Sequence, residues 1–179
     1  SPPSPPPKQE QPSPSQTTPS PNTLPLHSYL PKNALLSKLF GQNHYKYKLT
    51  LHSRIPATLY KERKFGFRVL LKGRESNQTI RNGNLVTCCL GVSDINGEWI
   101  VQDRRGNDFL KGRTETELLH GEAEYCKMSV QDVSRYFEGN VINLVVYVKP
   151  SLIVYSGSSS LEERVDPRWV EPLVIRKVQ

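Results

Sequence analysis

Apolar residues at every second position constrain this chain more than any other feature. Over 141–149, Ile142, Leu144, Val146 and Val148 fall on one side and Asn143, Tyr147 and Lys149 on the other. Side chains alternate across a strand, so this rhythm predicts one buried and one mostly polar face. The stretch just upstream repeats it, with Ala123 and Tyr125 against Glu122 and Glu124. Tyr45, Tyr47, Leu49 and Leu51 oppose Lys46, Lys48, Thr50 and His52. Phe65, Phe67, Val69 and Leu71 oppose Arg68 and Lys72, and Val86, Cys88, Leu90 and Val92 make a further inward row. A short strand is expected at 99–101 with Trp99 in the core, and a last one at 173–178. Pro172 suits an edge or a strand start.

Breakers separate the rows. Pro56 ends the first, and the polar run 73–83 closes on the turn pair Asn82-Gly83. Further turns are expected at 94–97 and 104–107. A partly helical connection is expected over 134–140, and a mobile polar loop over 156–168. Seven to nine short strands with little helix predict an all-β fold. The expected form is an immunoglobulin-like antiparallel β-sandwich over 43–179, with a Greek-key barrel as the alternative. Trp169, between two prolines, reads as a plug over one end or as an anchor for a partner.

Two segments precede this domain. Residues 1–31 hold 11 of the 15 prolines. Proline removes backbone donors and fixes φ, so a disordered Pro-rich tail is expected, with 2–7 able to adopt polyproline II. Over 32–42, Asn33 reads as a helix cap and Gly41 as the stop, around the apolar set Leu35, Leu36, Leu39 and Phe40. A helix this short must pack on something. Its own domain is one choice; a protein partner is the other, and those four residues would then bind it.

The side chains carry no enzyme signature. The chain lacks a Gly-rich phosphate loop and a nucleophile elbow, and its four histidines are scattered away from zinc spacing. Asp94, Asn96 and Glu98 resemble only a fragment of a calcium loop. No catalysis, cofactor or metal is expected. No apolar run reaches the roughly 20 residues of a membrane helix. Three cysteines, Cys88, Cys89 and Cys126, do not form a disulfide framework, and reduced thiols suit a nuclear or cytoplasmic setting.

Charge is the remaining pointer. Twenty-four Lys+Arg against 17 Asp+Glu leave +7, a balance that favours polyanions. Lys61, Arg63 and Lys64 precede the Phe65 row, and Lys72 and Arg74 follow it. Arg104, Arg105, Lys111 and Arg113 crowd another loop region. If these loops share one end of the sandwich, the nine residues form a rim for nucleic-acid phosphates. The competing readings are an ordinary solvated surface, or a protein-interaction domain recruiting through the tail, the 33–40 segment or a sheet edge.

Four stretches resemble the immunoglobulin-fold transcription factors, the Rel, p53, Runt and STAT DNA-binding domains. These are FGFRVLL at 65–71, GEAEY at 121–125, LVV at 144–146 and PLVI at 172–175, with the STAT type nearest. The resemblance implies a sandwich that binds DNA within a regulatory protein. No stretch matches a DNA-contact loop of that group, so the resemblance assigns no contact residue.

Overall fold

The computed structural model describes residues 2–7, 30–42, 44–83, 86–132, 140–149, 151–156 and 161–178. One helix, α1 (Lys32–Phe40), precedes the strands. In chain order these are β1 (Tyr47–Leu51), β2 (Phe65–Gly73), β3 (Arg81–Asn82), β4 (Val86–Ser93), β5 (Leu110–Lys111) and β6 (Glu115–Leu118). There follow β7 (Glu122–Val130), β8 (Val141–Val148), β9 (Leu152–Ser156), β10 (Leu161–Val165), β11 (Val170–Glu171) and β12 (Leu173–Val178).

The fold is an all-β sandwich. One sheet has the order β11-β1-β2-β7-β5 and the facing one β12-β8-β4-β6. Among the described residues no ladder joins the two, so the layers stay open rather than closing into a barrel. From β4 to β8 each successive strand switches to the other layer, as happens in immunoglobulin-like sandwiches. The ladders are antiparallel except where β11 runs parallel to β1, pairing Val170 with Tyr47.

The inward rows meet as their period demands, except at Leu51, which is exposed at the end of β1. Phe65, Phe67, Val69, Leu71, Ala123 and Tyr125 pack in one core with Val86, Cys88, Leu90, Val92 and the even-numbered apolar residues of β8. Phe67 and Tyr125 stack at 5.1 Å between ring centroids. Each buried aliphatic side chain contributes about 1.5–3 kcal/mol. The Tyr125 hydroxyl lies against the Cys88 thiol, a weak partner, and meets no other polar atom among the described residues.

The outer face of β8 departs from expectation, because Asn143 and Val145 are fully buried. The cause is α1, which lies over this sheet and buries its own Leu35 and Leu36. Lys38 bonds the Asn96 carbonyl and pairs with Glu98 at 3.1 Å. A Cβ on Gly97 would come within 3.3 Å of Leu35 and 2.9 Å of Lys38, so the glycine lets the helix sit down on the 94–97 turn. Gly41 ends the helix at φ 69°, its N–H donating to the Ser37 carbonyl at 2.7 Å. At the other end Pro31 occupies the cap position and supplies no side-chain cap bond. The expected cap, Asn33, lies inside the helix. Asn143 donates to the Asp94 carbonyl at 3.1 Å and accepts from Arg176, which reaches the Leu30 carbonyl at 3.2 Å. That chain of bonds ties the helix entry to the sheet.

Two further expectations change, and the choice left open at Trp169 is resolved. Trp99 forms only an isolated bridge with Ser93 and is 39% exposed, packing over Gly91 with Phe40 and Tyr147 at its edges. Within 156–168 the chain forms β10, which pairs with β9. Val165 turns inward and the charged residues 162–164 face water, so a polar composition concealed half a hairpin. β3 adds to that hairpin as a third small sheet. Trp169 is packed against the core, with the Lys46 ammonium 3.9 Å from its ring centre. Residues 2–7 are exposed and without regular structure, while 8–29 and most of the 134–140 connection lie outside the described residues.

The thiols differ sharply. Cys88 and Cys89 are buried on opposite faces of β4 and Cys126 is exposed. Burial pushes the Cys88 thiol up to about 12. Burial first, then the Glu115 carboxylate, raises Cys89. The thiolate is the reactive form. Alkylation of the folded protein at pH 8, read by intact mass, should therefore add one group, and three after denaturation. Two adducts on folded protein would contradict this burial.

Candidate polyanion-binding cleft

One end of the sandwich gathers the start of β2, the end of β7 and the 101–112 segment. Glu62 donates its N–H to the Val130 carbonyl at 2.8 Å, Gln131 to Phe109 at 2.8 Å, and Phe109 to Val101 at 2.9 Å. These backbone bonds hold three loops side by side. Within the 103–107 turn the Asp103 carboxylate accepts the N–H groups of Arg105 and Asn107 at 2.8 and 2.9 Å. Such a side-chain-capped turn needs the left-handed conformation of Gly106, φ 81°.

Arg104 bends toward Asp132 while its side chain stays exposed. Its guanidinium meets both oxygens of Asp132, at 3.1 and 3.3 Å, and the Asp132 side chain is only 6% exposed. A forked pair of this kind fixes geometry as well as charge. Asp132 thus anchors the turn through Arg104, and Arg105 is left on the rim.

A cleft of about 690 Å³ opens here, lined by Lys61, Arg104, Arg105 and Lys111 and by Glu62, Asp103, Asp108 and Asp132. A neighbouring hollow shares Lys111 and adds Lys64 and Lys127, and the next shares Lys64 and adds Arg63. Along this continuous surface seven cations face four carboxylates. Asp103 is bonded within its own turn, and Asp132 is paired with Arg104, which takes one cation and one carboxylate out of the count together. Arg113 is exposed and follows Gly112, a lining residue of the cleft.

The nine-residue rim expected from sequence is therefore not one surface. Lys61, Arg63, Lys64, Arg104, Arg105 and Lys111 come together, with Arg113 at the margin. Lys72 and Arg74 do not. β2 spans nine residues, roughly 26 Å at the usual strand rise, so residues before and after it lie at opposite ends. Arg74 instead stands 4.0 Å from the mostly buried Glu171, as does Lys32. Lys127 also joins this surface although it belongs to a strand and not to a basic loop; positive φ, 52°, bends β7 there and brings it into the site.

The other candidate residues are occupied elsewhere. Leu35 and Leu36 are covered by their own domain, and Leu39 and Phe40 are half-buried. The Asp94 carboxylate accepts the N–H groups of Asn96 and Glu98 at 2.9 Å each, so this trio is a turn and not a calcium loop. Among the described residues no group of three His, Cys, Asp or Glu side chains is placed to hold a metal. No helix there is long and apolar enough to cross a membrane.

No protein-family model and no curated protein matches this chain. Among solved structures, a conjugative transposon lipoprotein from Bacteroides eggerthii is similar over 74% of this chain and 97% of its own. The identity is 11% and the TM-score 0.33, a likeness from which no function is carried over.

Proposed function

We propose that this chain is a non-catalytic binding module of a nuclear or cytoplasmic regulatory protein, contacting nucleic-acid phosphates through its basic end. The observation that supports it is the continuous surface on which seven cations stand against four carboxylates, a surplus of three that remains when Arg104 and Asp132 are set aside as a pair. The resemblance to the immunoglobulin-fold transcription factors points the same way. Recruitment of a protein through 33–40 is less well supported, since Leu35 and Leu36 have no free face.

Phosphate contacts release counterions, so affinity should fall steeply with salt. If four phosphates are neutralised, the logarithm of affinity for duplex DNA falls with that of salt at a slope of about −3.6. Lys61→Glu with Lys111→Glu should flatten the slope, whereas Lys72→Ala with Arg74→Ala should leave it unchanged. Filter binding between low and high salt reads both. Salt-independent binding, or equal effects of the two pairs, would sink the proposal.

A further inference from the structure

We infer that the nucleic acid taken by this end is single-stranded, with Trp99 as a platform on which a base stacks. The inference rests on the phosphate-binding reading above. A second groove, about 480 Å³, is lined by Trp99, Tyr147, Ile100 and Val101 on one side, and by Asp108, Leu110 and Gly112 on the other. The last three also line the basic cleft, so the two hollows are one continuous path.

The path changes character along its length. At one end stand Lys61, Arg105 and Lys111; at the other, Trp99 and the 69% exposed Val101. Cations that follow a backbone, beside an aromatic face for bases, are the two parts of a single-strand site. A duplex offers no such face, because its bases are stacked on each other. A groove of this chemistry therefore has its complement in an unpaired strand, phosphates toward the lysines and bases toward the indole.

Trp99 is built to hold this position. A Cβ on Gly91 would lie 2.7 Å from its six-membered ring, so the missing side chain is the seat on which the indole rests. Phe40 meets it edge-on at 5.8 Å, and Tyr147 lies tilted against it at 5.9 Å. A ring held by its neighbours loses little freedom on binding. Asp108 at the junction would repel a phosphate, but a carboxylate accepts the exocyclic amino groups of bases. That places a base, not a backbone phosphate, at the midpoint.

The test uses a mixed-sequence 12-mer as a single strand, as a duplex, and as a strand with abasic central positions. Emission is followed in Trp169→Phe protein, so that Trp99 is the reporter. The single strand is expected to bind at least about ten-fold tighter than the duplex at equal salt and to quench emission. The abasic strand should lose about 5- to 100-fold, the scale of one stacked base, and should not quench. Trp99→Leu should lose the same factor with an unchanged salt slope. The abasic comparison uses the native Trp99 and so is independent of whether that variant folds. Equal duplex and single-strand affinities without quenching, but with a steep salt slope, would overturn stacking and spare the basic cleft. Salt-independent binding of all three would overturn both.

Discussion

Leu35→Ala is expected to lower the free energy of unfolding by about 2–5 kcal/mol, the range for truncating a fully buried leucine. The residue lies in a nine-residue helix, too short to persist in water on its own. Its helix survives by docking, and the dock is specific. Leu35 and Leu36 are buried, Gly97 makes room beneath Leu35 and Lys38, and Lys38 closes the contact with Asn96 and Glu98. Loosening the helix also uncovers Val145 and the polar pair Asn143 and Ser93, all fully buried. A buried amide that loses its cover admits water to a layer that otherwise excludes it. Ser37→Ala, on the exposed side of the same helix, should change stability by less than about 0.5 kcal/mol. Urea unfolding of the two variants beside the parent decides the matter. If Leu35→Ala behaved like Ser37→Ala, the helix would be undocked and its apolar residues would again be free for a partner.

The second large effect is expected at Gly121, where alanine should cost about 3 kcal/mol or more, strain and collision together. Its φ is 83°, a region that costs other residues about 1–3 kcal/mol by itself. A Cβ there would also collide with the Ile80 carbonyl oxygen and press on Thr79. The backbone has no freedom to move away. The Gly121 N–H donates to the buried Asn82 side chain at 2.8 Å, and its carbonyl accepts from Leu71 at 2.8 Å. Asn82 also bonds the Leu118 carbonyl, so shifting Gly121 strains the whole β6–β7 turn. Gly106 is the control. Its φ is 81°, but apart from its chain neighbours nothing lies within 4 Å of the position an added Cβ would take, so alanine should cost only about 1–2 kcal/mol there. Equal thermal shifts for the two variants would mean that the Ile80 carbonyl yields, contrary to the bonding described.

The strands were legible because burial acts on each residue separately. Every even-numbered apolar residue from Ile142 to Val148 faces the core, as period two requires. β10 was hidden for the same reason in reverse: three charged residues in a row, Glu162 to Arg164, leave no apolar alternation to read, and only ladder bonds to β9 make them a strand. Trp99 misled because its chemistry suits a core, while its position depends on the missing side chain at Gly91, a neighbour across the sheet.

The candidate site was half legible. The cations around 61–64 and 104–113 emerge from counting charge in loops, a count to which Lys127 in a strand and Asp132 beneath a turn are invisible. The same count joined Lys72 and Arg74 to them, though a nine-residue strand stands between.

The order of residues alone therefore determined that this protein is a stack of strands with a basic surplus, since period and net charge are sums over local choices. Which cations share an end, which face α1 covers and where an indole stays open were decided only by tertiary structure. Those are relations between segments distant in sequence, and only the packing of the two sheets brings them within a few ångströms of each other.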